Sequence, residues 1–143
     1  MKYESKNLEQ TEKIASDFVA SLVPKSAATV VGLYGDLGAG KTAFAQAVAR
    51  ALGVGEKVAS PTFVIMKSYL ISHISYLHLI HIDAYRMDSS DEIARLGWGE
   101  ILSNPQNLVL IEWPERVADL MPEHIKINLK TLENEKSRGI EII

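Results

Sequence analysis

The chain contains no cysteine, so disulfides cannot contribute to its stability, and a reducing compartment suits it. It also lacks any run approaching the 18 apolar residues of a membrane span, and its start, MKYESKNLEQ, alternates charge with polarity where a secretion signal would be apolar. The expectation is a soluble, cytoplasmic protein without membrane contact. A surplus of positive charge is missing as well. The 15 Lys and Arg are scattered among 18 Asp and Glu, for a net charge of −3 and a pI near 5.8. A chain that grips RNA or DNA by itself normally concentrates a basic stripe, so direct, tight nucleic-acid binding is not expected. Nor is there an internal repeat or a Pro, Gly and Ser-rich linker to divide it. At 143 residues a single domain over 1–143 is expected, one that buries about two thirds of the surface its unfolded chain exposes.

What is present is concentrated at residues 35–42, GDLGAGKT, a complete G-x-x-x-x-G-K-[ST] phosphate-binding pattern. Such a loop works only if a strand delivers it and a helix leaves it, because backbone N–H groups and the helix N-terminus must then converge on one anion. The apolar run Thr29 to Tyr34 precedes it and KTAFAQAVARALG follows. Gly35, Asp36, Leu37, Gly38, Ala39 and Gly40, with Lys41, Thr42 and Ala43, are therefore expected to wrap a nucleotide's phosphates. Lys41 would reach the β- and γ-phosphates and Thr42 would offer its hydroxyl to Mg²⁺.

Around this loop the elements alternate. Asn7 and Gln10 have capping-box spacing, and Leu8, Thr11, Ala15, Phe18 and Leu22 share a helical face. Phe63 to Leu70 and Tyr76 to Ile82 suggest an antiparallel pair, the second run leading into Asp83. Ser89 and Glu92 open a predicted helix to about Leu102, and the strand Leu108 to Ile111 leads into Glu112. A short helix after Pro114 and strands near Ile125 to Leu129 and Gly139 to Ile143 follow. The order predicts an α/β fold, a P-loop NTPase domain with a mixed, mostly parallel sheet and helices on both faces.

Acids at the carboxyl ends of strands are where Mg²⁺ chemistry is expected in open α/β sheets. Glu112, after LVLI, has the pattern of an acid that holds Mg²⁺ through water, and Asp83, after LHLIHI, is assigned to orienting or deprotonating an attacking water. Spacing alone also permits the two roles to be exchanged. Thr62 lies in a loop where a switch could sense the γ-phosphate, or where Ser60 and Pro61 simply build a turn. Trp113 can pack over the nucleotide site, against a partner or in the core. Arg86 can meet phosphate, dock a partner or form a surface ion pair. The four histidines, 73, 78, 81 and 124, have no metal-ligand spacing and read as structural, with His81 set apart because it shares Asp83's face. A small-molecule kinase and a nucleotide-gated binding module are the competing readings. The five Arg form no lid cluster, and no N-K-x-D segment is present to read guanine.

Together, GDLGAGKT, SPTF at 60–63, HIDAYR at 81–86 and IEWPER at 111–116 resemble the small bacterial ATPase family TsaE, also called YjeE, over almost the whole chain. The resemblance implies slow hydrolysis of ATP, with Mg²⁺, in support of threonylcarbamoyl addition to the adenosine beside the anticodon of tRNAs reading codons that begin with A. It implies docking on a threonylcarbamoyl transferase and its paralogous partner, which bind the tRNA, so that tRNA is met only indirectly. It matches Lys41 and Thr42 to the phosphate and Mg²⁺ residues, Glu112 to the Mg²⁺ acid, Asp83 to the catalytic acid, Trp113 to a functional tryptophan and Thr62 to a switch-like loop. Asn7 and Thr11 would lie near the adenine.

Overall fold

The computed structural model describes residues 1–54, 66–133 and 137–143. One sheet carries all seven strands of the described residues: β1 (Lys2–Ser5), β2 (Thr29–Tyr34), β3 (Met66–Leu70), β4 (His78–Asp83), β5 (Asn107–Glu112), β6 (Ile125–Thr131) and β7 (Arg138–Ile142). Their order across the sheet is β1-β7-β6-β2-β5-β4-β3. The four neighbours β6, β2, β5 and β4 are parallel, β3 and β7 run against them, and β1 returns to the majority direction. The predicted α/β fold, mixed and mostly parallel, is the one observed.

Two cores follow from the period of two in the strands. Val31, Leu33, Leu79, Leu108, Leu110, Ile127 and Leu129 face the helices α1 (Leu8–Ser21) and α2 (Lys41–Ala51). Val30, Ile80, Ile82, Val109 and Ile111 face α3 (Asp91–Ala94), α4 (Trp98–Ser103) and a 3₁₀ segment, Pro114–Leu120. Strands covered on both faces read as near-continuous apolar runs, which is why TVVGLY and NLVLIE lack strict alternation. Helices α1 and α2 pack together through Phe18 and Phe44, whose ring centroids lie 6.4 Å apart.

Local signals explain most boundaries. Asn7 caps α1 by accepting from Gln10 N at 2.9 Å, as the spacing predicts, while Gln10 Oε1 accepts from Lys6 N at 2.7 Å, one residue before the capping residue's own N–H that a strict capping box engages. Two elements differ from the sequence reading. The helix predicted from Ser89 to Leu102 is two short pieces, because Gly97 adopts φ +82 and restarts the chain at α4, and Ser90 rather than Ser89 stands before α3. The N-terminus forms β1, an edge strand held by pairing with β7 and not by an apolar pattern of its own. The short helix expected after Pro114 is present as the 3₁₀ segment Pro114–Leu120. Phe63 to Ile65, the start of the first predicted hairpin strand, lie outside the described residues. No helix among the described residues is long and apolar enough to cross a membrane.

Candidate functional site

The carboxyl ends of β2, β4 and β5 bring the glycine-rich loop, Asp83 and Glu112 to one edge of the sheet. Adjacent register fixes this: Leu33 pairs with Glu112, and Glu112 with Asp83. The loop leaves β2 with Gly35 at φ +147, where a Cβ would collide with the Leu129 carbonyl, so no larger residue fits between loop and β6. It turns through Gly38 at φ +82 and enters α2 from Gly40 at φ +98, in the left-handed region that favours glycine. Gly40 O accepts the first bond of the helix from Phe44 N at 2.9 Å. The N–H groups of α2's first turn, which a helix leaves without intrahelical partners, therefore lie at the strand ends that carry both acids, an anion-binding arrangement. Asp36, Leu37, Gly38 and Ala43 are exposed, whereas Ala39 is buried beneath the loop.

Lys41 is only 5% exposed. Its ammonium donates to the carbonyls of Gly35 and, at 2.9 Å, Asp36, and it lies 4.0 Å from the centroid of the Trp113 ring. Burial pushes its pKa below 10.5, and attraction to Glu112, Glu115, Asp36 and Asp83 opposes that shift only in part. Trp113 itself adopts φ +60, an uncommon conformation for a bulky side chain that starts the 3₁₀ turn immediately after β5. Its outer side meets Tyr85, with ring centroids 4.9 Å apart, and the Arg116 guanidinium stands over Tyr85 at 5.4 Å.

Glu112 is buried, and both of its oxygens are engaged. Thr42 Oγ1 donates to Oε1 at 3.0 Å, and His81 Nε2 lies 2.7 Å from Oε2. Asp83 is half-buried and caps its own turn by accepting from Tyr85 N at 3.0 Å. A hydroxyl bonded to a carboxylate at the start of a helix provides hard oxygen donors, the kind Mg²⁺ takes when phosphate oxygens and water complete its octahedron. Among the described residues no cluster of three His, Cys, Asp or Glu could hold a metal by itself. The donor set therefore fits Mg²⁺ carried with a phosphate ligand and not a protein-only cage.

The remaining predicted residues fall into four groups. Asn7 and Thr11 open α1; Ser5 Oγ bonds Thr11 Oγ1 at 2.6 Å, and Ser5 pairs in register with Arg138. A Cβ on Gly40 would lie 3.6 Å from Arg138 Nε, so the Arg138 side chain runs beside the loop at this corner. Thr62 lies outside the described residues, together with Ser60 and Pro61. Arg86 is exposed just beyond the acid-bearing turn. Of the histidines, His124 bonds the Tyr34 hydroxyl at 2.7 Å and stacks on its ring, while His73 packs on Tyr76, contacts of a structural kind. Two features escaped the sequence reading. The His81 to Glu112 bond joins diagonal neighbours on adjacent strands, for which shared face was the one visible hint. The approach of Arg138 depends on β7 pairing with both β1 and β6, which no local pattern reveals.

The model of the family "Threonylcarbamoyl adenosine biosynthesis protein TsaE" matches residues 5–140. The tRNA threonylcarbamoyladenosine biosynthesis protein TsaE of Rickettsia bellii is 39% identical over 130 residues, covering 90% of this chain and 85% of that protein. The protein of the same name from Bacillus subtilis is 38% identical over 131 residues, covering 91% and 77%. Among solved structures, Bacillus subtilis YdiB superposes with a TM-score of 0.74 at 31% identity, covering 98% of this chain and 82% of that one.

Proposed function

The chain belongs to the TsaE family of tRNA threonylcarbamoyladenosine biosynthesis, and from that premise we propose that it is a cytoplasmic, Mg²⁺-dependent ATPase supporting the transferase of this modification. The supporting observation is the bond from Thr42 to Glu112 at the start of the glycine-loop helix, beside the buried Lys41. Loop N–H groups from 35 to 43 hold the β- and γ-phosphates, and Lys41 exchanges its carbonyl partners for phosphate oxygens as negative charge spreads in the transition state. Thr42 and Glu112 would hold Mg²⁺, which neutralises charge on those oxygens when bound. Asp83 orients the attacking water and accepts its proton, so that the bond from γ-phosphorus to the bridging oxygen breaks and ADP and phosphate leave. Trp113 and Tyr85 shield one side of the site, Thr62 takes the γ-phosphate-sensing role that its match to the family motif implies, and Asn7 and Thr11 lie towards the base. The partners are the threonylcarbamoyl transferase and its paralogue, with tRNA reached only through them.

The test is phosphate release from Mg²⁺-ATP, alone and with the transferase pair. Slow release alone and faster release with the pair are expected. Asp83→Ala should retain ATP binding and lose release by about 10²-fold or more, within the range for general-base removal. Wild-type release from that variant would remove Asp83 from the mechanism, and an unchanged rate with the pair would instead favour a phosphoryl acceptor other than water.

A further inference from the structure

His81 is 1% exposed, yet it makes a polar contact on one side only. Nε2 lies 2.7 Å from Glu112 Oε2, while Nδ1 is buried and has no hydrogen-bond partner among the described residues. A buried polar atom without a partner costs about 1–3 kcal/mol. A leucine of similar volume would suit that face of β4, whose neighbour in register is Leu110. The imidazole is therefore placed for Glu112 and not for packing. Against a carboxylate oxygen Nε2 carries the hydrogen, so the ring donates and pins Oε2. The other oxygen, Oε1, is then turned to Thr42 Oγ1 at 3.0 Å. Without that pin Glu112 could rotate about its terminal bond, since torsions to a planar carboxylate are broad.

We propose that His81 is a positioning residue for the Mg²⁺ site, fixing the Glu112 carboxylate in the orientation from which it and Thr42 would hold the metal. This rests on the reading of Thr42 and Glu112 as the Mg²⁺ residues. Second partners of metal-holding carboxylates commonly change metal affinity by about 10–100-fold when removed. His81 itself meets neither nucleotide nor metal, so its removal should leave phosphate binding by the loop intact.

Calorimetric titration of ADP, first in EDTA and then across a series of Mg²⁺ concentrations, separates these effects. His81→Leu should bind ADP in EDTA like the wild type but need about 10–100-fold more Mg²⁺ to reach full affinity. His81→Gln, whose amide nitrogen can stand near the position of Nε2, should recover much of that loss, and it remains informative if the leucine variant folds poorly. A leucine variant with wild-type Mg²⁺ dependence would overturn the role of His81, as would a glutamine variant no better than leucine. If Mg²⁺ does not strengthen ADP binding by the wild type, the metal reading of Thr42 and Glu112 fails and the role of His81 with it, a result distinct from either variant outcome.

Discussion

Lys41 is held in a position from which, under the proposed function, it moves to reach phosphate. Its ammonium sits on two loop carbonyls and against the Trp113 ring, so a phosphate that draws it away also changes the surroundings of that indole. Trp98, the second tryptophan, is buried and bonds Leu120 O at 2.9 Å, away from the loop. In a Trp98→Phe background, adding Mg²⁺-ATP should alter the remaining emission, and Lys41→Ala should remove both the change and most of the affinity. The same burial has a pH signature. With the folded pKa of Lys41 below 10.5, the unfolded state binds more protons between the two values, so this residue's contribution to stability rises with pH through that window. Denaturant melts at rising pH up to 10.5 should show the unfolding free energy of wild type gaining on that of Lys41→Met. Tyr34 works in the opposite sense, because burial and then Glu115 raise its pKa above 10.0, so its contribution falls only beyond that pH.

At the scale of elements, legibility followed how local the cause was. The cap on α1 is a four-residue pattern and was readable; Asn7→Ala should lower stability by about 1 kcal/mol in urea denaturation while leaving the sheet unchanged. The strands β2 and β5 were readable because burial on both faces forces an apolar run. Strand β1 was not, since KYES owes its conformation to hydrogen bonds from β7, 133 or more residues away along the chain. The break at Gly97 was likewise hidden. Leu96 and Trp98 continue a plausible helical pattern, and the positive φ between them answers to packing of α4 on the far core, where Ile93 and Trp98 are buried together. Glycine tolerates that turn where another residue would cost about 1–2 kcal/mol.

The molecule as a whole places its chemistry at one sheet edge and carries a net charge of −3. A surface of that balance offers few phosphate neutralisations, and each is needed for salt-dependent affinity to nucleic acid. In gel shift near physiological salt the isolated protein should therefore show no tRNA binding at low micromolar concentration, and tRNA should join only when the transferase pair is present. A tight, salt-sensitive complex with tRNA alone would contradict that division of labour.

By itself the sequence determined the glycine-rich loop between β2 and α2, the strand-end positions of the two acids, the central strands and the family, since each is written in contiguous residues or in the order of short motifs. Only the tertiary structure decided which atoms meet. Glu112 is shared by Thr42, 70 residues before it, and His81, 31 residues before it. Arg138 reaches Gly40 across two strand pairings, and Trp113 covers Lys41 through an unusual backbone turn. These contacts depend on strand register and on how far each helix is turned on the sheet, quantities set by packing of the entire core and by no short stretch of chain.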